Sequence, residues 1–307
     1  MTEPSPGNGA GPVATATRDW WGTEEACVRY GDKLALDHVT FRAVPGQVSA
    51  VVGGDGAGRT TLLRCLAGAQ AVSSGQVRLP APLRIGYLSA GSGIYPDLTV
   101  DENLAFRASA YQMPAATARE RSSEFIERAG LASARARLAG QLSGGMRQKL
   151  AVIAAMLHQP ELIVLDEPTT GVDPVSRSGL WWLIASAAAE GCAVVLATTY
   201  LDEAERCASV LALDAGQALA EGTAEQIVAA MPGSLRAVTG RPGGEAAARS
   251  WRRAGRWRVW EPDGTADGDG DGAVDGAGRI QPDLADAVTV AAIAREIRAG
   301  QLAGGTS

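Results

Sequence analysis

The chain lacks long hydrophobic runs. Its longest apolar stretches, LAVIAAML (150–157) and CAVVLA (192–197), fall far short of the roughly 20 residues that a membrane-spanning helix needs. It lacks an excess of positive charge. Its 28 Lys and Arg face 34 Asp and Glu, for a net charge of −6, which argues against a nucleic-acid binder with its basic face. It also lacks paired thiols. Cys27, Cys65, Cys192 and Cys207 are scattered without a C-x-x-C spacing, so buried reduced cysteines of the cytosolic kind are expected. The opening MTEPSPGNGAGPVATAT lacks both the basic start and the apolar core of a signal peptide, and a disordered tail is expected over 1–19. With 46% hydrophobic and 20% charged residues, the rest has the composition of a globular protein. Its 307 residues allow one large domain or two ordinary ones. A soluble cytoplasmic protein is expected, reaching a membrane only through a partner.

From about Glu24 to Glu221 the pattern is strand, turn, helix, repeated. QVSAVVG (47–53) is a β-branched run ending in glycine, and TTLLRCLAG (60–68) reads as a helix closing on Gly68. RIGYL (84–88) reads as a strand, and TVDE (99–102) as a capping box opening a helix that runs to Pro114. GGMRQKLAVIAAMLHQP (144–160) reads as a helix stopped by Pro160. ELIVLDEP (161–168) and CAVVLATT (192–199) are runs of the kind found in buried parallel strands. The alternation predicts an α/β fold with a mixed, mostly parallel sheet. Residues 232–307 read as a small α+β extension. In it SLRAVTG and RWRVWEP are strands, EAAARSWRRAG a helix between them, 263–278 a flexible acidic loop, and DLADAVTVAAIAREIRAG (283–300) a final helix. Asp267, Asp269, Asp271 and Gly272 match the start of a calcium loop, but the twelfth position is Gly278 instead of Glu. The bidentate ligand is missing and no metal is expected there.

Three segments carry chemistry. GGDGAGRTT, residues Gly53 to Thr61, approaches the phosphate-loop pattern G-x-x-x-x-G-K-[ST]. Gly53, Gly56 and Gly58 let the backbone curl so that successive N–H groups face phosphate oxygens, and the helix start adds partial positive charge. Thr60 is placed to bind Mg²⁺ through its hydroxyl. The Lys of the pattern is Arg59, which leaves a ligand-free glycine turn as the alternative from this segment alone. In LIVLDEP, Asp166 and Glu167 end a buried strand, where open α/β sheets bind ligands. Asp166 is placed to hold Mg²⁺, and Glu167 to polarise a water for attack on a γ-phosphate. In LSGGMRQK, Ser143, Gly144 and Gly145 precede a helix and form a second anion site. The pair makes sense if the second site serves a nucleotide held by another subunit.

On these motifs the chain resembles the nucleotide-binding subunit of an ATP-binding-cassette (ABC) transporter, from about Tyr30 to Gly222. The resemblance rests on the loop 53–61, the signature LSGGMRQ, the Walker B strand LIVLDEP, the D-loop GVD (171–173) and YLDEAE (200–205). IYPDLTVDENL and TYLDEAERC resemble the drug- and antibiotic-exporter branch most. The resemblance implies an ABC nucleotide-binding domain over 20–231, with a helical signature subdomain at about 90–160. It also implies ATP and Mg²⁺ as cofactors, held by Tyr30 on adenine and by Asp55, Ala57, Thr61 and Asp173 beside the residues above. A membrane permease partner and a location on the inner face of the cell membrane follow from it.

Three positions depart from the family. Arg59 stands for Lys, Ala90 for the Q-loop glutamine after GYL, and Thr199 for the switch histidine; the only histidines are His38 and His158. Arginine keeps the charge but spreads it over a planar fork. Ala90 offers no oxygen, and Thr199 is too short to replace an imidazole. Thr60, Asp166 and Glu167 remain. The departures lie on the phosphate-loop side, while Ser143 to Gly145 are complete. This implies a weak ATP site paired, in a heterodimer with a second nucleotide-binding subunit, with a competent site that this chain's signature completes. A non-catalytic ATP-binding regulatory subunit is the alternative. A non-transport ABC ATPase fits less well, since the chain has neither two cassettes nor a long coiled-coil insertion.

Overall fold

The computed structural model describes residues 20–263 and 278–303. In chain order the elements are β1 (Trp21–Tyr30), β2 (Lys33–Ala43), β3 (Val48–Gly53), α1 (Arg59–Leu66), β4 (Ser74–Arg78), β5 (Ile85–Leu88), α2 (Val100–Ala110), α3 (Ala115–Arg128) and α4 (Gly144–Met156). They continue with β6 (Leu162–Asp166), α5 (Pro174–Ala189), β7 (Ala193–Ala197), α6 (Leu201–Ala204), β8 (Ser209–Asp214), β9 (Gln217–Gly222), α7 (Ala224–Ala229) and β10 (Ser234–Val238). The last are α8 (Glu245–Ala248), β11 (Ser250–Arg253), β12 (Arg256–Glu261), β13 (Gly278–Ile280) and α9 (Leu284–Ala303).

The central sheet has strand order β5-β6-β7-β3-β8-β9. All its pairs are parallel except β8 with β9. The runs VSAVVG, LIVLD and AVVLA are buried on both faces, so they show no polar alternation. Successive side chains still point opposite ways. Val51, Leu162 and Val164 pack under α1 and the β1–β2 pair, with Leu36, Phe41, Leu62 and Leu66. Ala50, Val52, Ile163 and Leu165 face the larger core made with α2 to α5, which the first turn of α9 joins through Leu284 and Ala287. A second sheet, β2-β1-β4, is antiparallel and carries Tyr30 at its end.

Thr99 caps α2 as the sequence predicts: its hydroxyl accepts from the Glu102 N–H, and the Thr99 N–H donates to the Glu102 carboxylate. The helix stops at Ala110 rather than running to Pro114. The chain turns through Gln112 at φ 56°, and Pro114, whose ring fixes φ, starts α3 instead. A third sheet, β11-β12-β10-β13, lies beyond α7. Here the predicted helix EAAARSWRRAG is corrected. Only Glu245–Ala248 is helical, while Ser250–Arg253 pairs antiparallel with β12 across Ala254 and Gly255, both at positive φ. Gly278 belongs to a strand rather than a loop. The expected tail 1–19 and the calcium-loop acids Asp267 to Gly272 lie outside the described residues.

Candidate functional site

The carboxyl ends of β3 and β6, with the tip of the β1–β2 sheet, enclose a cavity of about 370 Å³. Its walls include Tyr30, Lys33, Gly54 to Thr61, Ala90, Asp166 and Glu167. Two glycines are dictated by crowding. A Cβ on Gly53 would stand 2.4 Å from the Leu213 carbonyl oxygen, and one on Gly58, at φ 107°, would stand 2.7 Å from the Ala35 oxygen. Gly58 then starts α1, whose Leu62 N–H it receives.

Arg59 does not reach into open space. Its guanidinium is almost fully buried, 3.1 Å from Glu167 Oε1 and 3.7 Å from Asp55 Oδ1. Glu167 Oε2 accepts from the Thr170 hydroxyl at 3.1 Å, so both oxygens of this carboxylate are engaged. Its backbone sits at φ 50°, a left-handed conformation that costs a side-chain-bearing residue energy and is concentrated at functional positions.

Asp166 is 3% exposed. Burial pushes its carboxyl above the ordinary range and Glu167 adds to that, while a hydrogen bond from Thr60 and the charges of Arg59 and Arg64 oppose it. Asp166 Oδ2 is buried with no hydrogen-bond partner. An orphaned carboxylate oxygen beside a threonine hydroxyl is an all-oxygen donor set, which fits Mg²⁺. Tyr30 is half exposed at the cavity edge, and its hydroxyl, donating to Gln70 Oε1 at 3.1 Å, holds the ring there.

Ser143, Gly144, Gly145 and Asp173 do not line this cavity. They form a second polar surface where α4 and α5 begin. The Ser143 hydroxyl accepts from the Met146 N–H, and Asp173 Oδ1 accepts from the Val175 and Ser176 N–H groups at 3.1 and 3.0 Å. These bonds, that from Ser176 first, hold the Asp173 carboxyl below its ordinary value. A Cβ on Gly145 would meet the Ser176 side chain, with Oγ at 2.9 Å, and Asp173 Oδ2 at 3.3 Å, so a larger residue there would push these side chains aside. Signature and D-loop starts are thus fitted to each other, apart from the chain's own phosphate loop.

Sequence reasoning missed Glu203, although YLDEAE was singled out. It is 1% exposed. Its Oε2 accepts from the Thr169 hydroxyl at 2.9 Å and the Thr198 hydroxyl at 2.8 Å, and its Oε1 is 3.9 Å from Arg177 Nε. One carboxylate therefore ties the segment after Glu167, the residue before Thr199 and the D-loop helix α5. Thr199 itself is exposed. Lys33, another cavity residue, was also missed; its closeness to Tyr30 in sequence was the one available signal.

The family described as "ABC transporter" matches residues 36–170. Among curated proteins the chain is similar to the "Probable multidrug ABC transporter ATP-binding protein YbhF" of Escherichia coli (strain K12), 37% identical over 212 residues, covering 66% of this chain and 37% of that protein. The chain therefore spans little more than a third of YbhF. It is 36% identical over 228 residues to the "Daunorubicin resistance ATP-binding protein DrrA3" of Streptomyces coeruleorubidus, covering 71% of this chain and 72% of that protein. Among solved structures it is similar to "Structure of ATP binding subunit of ABC transporter", with TM-score 0.64 and 26% identity over 68% of this chain and 92% of that one.

Proposed function

We propose a function from one premise: the chain belongs to the ABC transporter family, and within it resembles the ATP-binding proteins. The chain is an ATP-binding subunit that works with a separate membrane permease in the export of a small, drug-like molecule, as the printed names of its relatives suggest. It lies on the inner face of the membrane through that permease; no described helix is long and apolar enough to cross a bilayer.

Tyr30 stacks on adenine, the N–H groups of Gly53 to Gly58 cradle phosphates with Asp55, Ala57 and Thr61 beside them, and Thr60 and Asp166 hold Mg²⁺. The ion supplies charge that offsets the phosphates. Glu167 is the residue available to orient water, and its turnover is weak. The observation that carries this reading is the Arg59–Glu167 pair at 3.1 Å. The cation that should serve phosphate is spent on the carboxylate that should serve water, and Ala90 and Thr199 supply no substitute. The signature side is complete and does not line the chain's own cavity, which supports a role in trans: Ser143, Gly144, Gly145 and Asp173 complete the site of a second, different nucleotide-binding subunit.

The test is steady-state ATPase of the purified chain, alone and with a candidate partner cassette that carries Lys, Gln and His at the three positions. The chain alone should bind Mg·ATP in a calorimetric titration and turn it over slowly, and the mixture should turn over briskly. Brisk hydrolysis by the chain alone as a homodimer would overturn the heterodimer reading.

A further inference from the structure

The β1–β2 sheet carries a corner that nucleotide binding does not use. Its register is interrupted between Thr23 and Ala26 and again between Ala26 and Val28. Glu25 and His38, neither a glycine, both sit at φ 50°. Bulges of this kind re-aim side chains, and here they gather four. Cys27 is buried, and its Sγ accepts the His38 N–H at 3.3 Å. His38 Nδ1 lies 3.1 Å from Glu25 Oε2, and Nε2 lies 3.9 Å from Asp37 Oδ1. The other Asp37 oxygen is taken by Gln217 Nε2 at 2.6 Å, which leaves Oδ1 turned to His38. One ligand atom from each of Cys27, Asp37 and His38 falls within 4.8 Å of the others.

We propose that Cys27, Asp37 and His38 bind a divalent transition metal of the zinc class. Sulfur, nitrogen and oxygen together select such an ion over Mg²⁺ or Ca²⁺. Tetrahedral zinc with bonds of about 2.0–2.3 Å holds its ligands roughly 3.5 Å apart, so the three atoms need to close by about 1 Å. His38, two-thirds exposed at 66%, has the freedom to do so, while Gln217 and the Cys27 backbone fix the other two. The Glu25 carboxylate on Nδ1, itself steadied by the Thr40 hydroxyl at 3.2 Å, is the arrangement that orients a metal-bound histidine and leaves Nε2 for the ion. A surface Glu–His pair alone does not account for the buried thiol, whose Sγ lies within 4.8 Å of the His38 and Asp37 ligand atoms. No other thiol competes. Burial pushes Cys65 up to about 11 and Cys192 and Cys207 up to about 12, and the only other histidine, His158, is stacked on Tyr111.

The experiment is a titration of the reduced full-length chain with Co²⁺ alone, followed by absorbance. One equivalent should give a thiolate-to-cobalt charge-transfer band and intense visible bands of four-coordinate cobalt, both erased by Zn²⁺. Cys27→Ser should abolish the charge-transfer band. His38→Asn keeps a residue that tolerates left-handed φ and should weaken binding at least tenfold. Glu25→Gln should weaken it about tenfold while keeping one equivalent. The proposal is overturned if no charge-transfer band appears, if the band survives in Cys27→Ser, or if His38→Asn binds as well as the parent. If Cys27→Ser does not fold, as judged by circular dichroism, the His38→Asn and zinc-displacement arms decide alone.

Discussion

The phosphate-loop wall and the signature wall of this molecule are built on different principles. The first is a curled loop in which Arg59 lies between Asp55 of the loop and Glu167, the residue after β6. The second is two helix starts lying close together, where a Cβ on Gly145 would run into Ser176 and Asp173. The far end of its helix is anchored by His158, stacked on Tyr111 with Nε2 3.2 Å from the Ile85 carbonyl oxygen. Glu203 lies 3.9 Å from Arg177 of the D-loop helix α5 and accepts from the Thr169 hydroxyl before it. The signature side keeps the residues expected there, while the phosphate-loop side sets Arg59 against Glu167 and leaves Asp166 Oδ2 without a hydrogen-bond partner.

The sharpest way to break this comparison is Gly145→Asp. Its carboxylate would stand where phosphate is held and against Ser176 and Asp173. Turnover of the complex with a competent partner should fall more than a hundredfold, the scale for losing preorganised donors. Glu167→Gln should leave most of it, and the opposite ranking in a steady-state assay would assign the working site to this chain. Next comes Glu203. Glu203→Ala strands two buried hydroxyls and removes Arg177's acidic neighbour, so a denaturant melt should lose about 2–3 kcal/mol, with Glu203→Gln losing less.

The anchor should titrate. Burial lowers the His158 pKa from 6.5 to about 4. The folded state therefore binds this proton less readily than the unfolded chain. Its stability contribution is intact above pH 6.5 and is lost as pH falls from there towards about 4. Between pH 7 and pH 5 the parent should lose about 2 kcal/mol more than His158→Gln, measured by melts at each pH. Smaller still, Tyr30→Ala should weaken ATP binding several-fold, by about 1 kcal/mol for one stacked ring; unchanged affinity by calorimetry would remove Tyr30 from the site. The smallest effect should be Arg59→Lys, which restores a compact ammonium but leaves Ala90 and Thr199 in place, and so should alter ATP affinity or turnover only modestly. Fast hydrolysis from that change alone would show that Ala90 and Thr199 do not limit the site.

What the sequence made legible was local. A β-branched run ending in Gly53, a glycine loop and a helix start lie within a few residues of one another, and so do Asp166 and Glu167 at the end of LIVLD. The capping box at Thr99 and Glu102 is a three-residue pattern, and the structure holds it. What stayed hidden depends on partners far along the chain. Arg59 reads as a phosphate ligand until folding sets it against Glu167. Glu203 reads as a surface acid until Thr169, Thr198 and Arg177 close over it. EAAARSWRR reads as a helix because its alanines favour one, but cross-strand pairing of Ser250–Arg253 with β12 overrides that preference.

Helix α9 carries one more consequence. Arg295 donates to the Asp214 carbonyl oxygen and pairs with its carboxylate at 2.8 Å, at the end of β8, next to the antiparallel edge strand β9. Leu284 and Ala287 enter the main core, and Val290 packs with Leu235 and Trp260. The central sheet is therefore finished by residues far beyond its last strand in the chain. On the ribosome, β8 and β9 emerge well before the helix that packs on them, and during that interval the growing chain exposes the apolar surface that Leu284 and Ala287 later bury. A stop codon placed just before Leu284 would make that interval permanent, and the product should accumulate as aggregate while the full chain stays in solution.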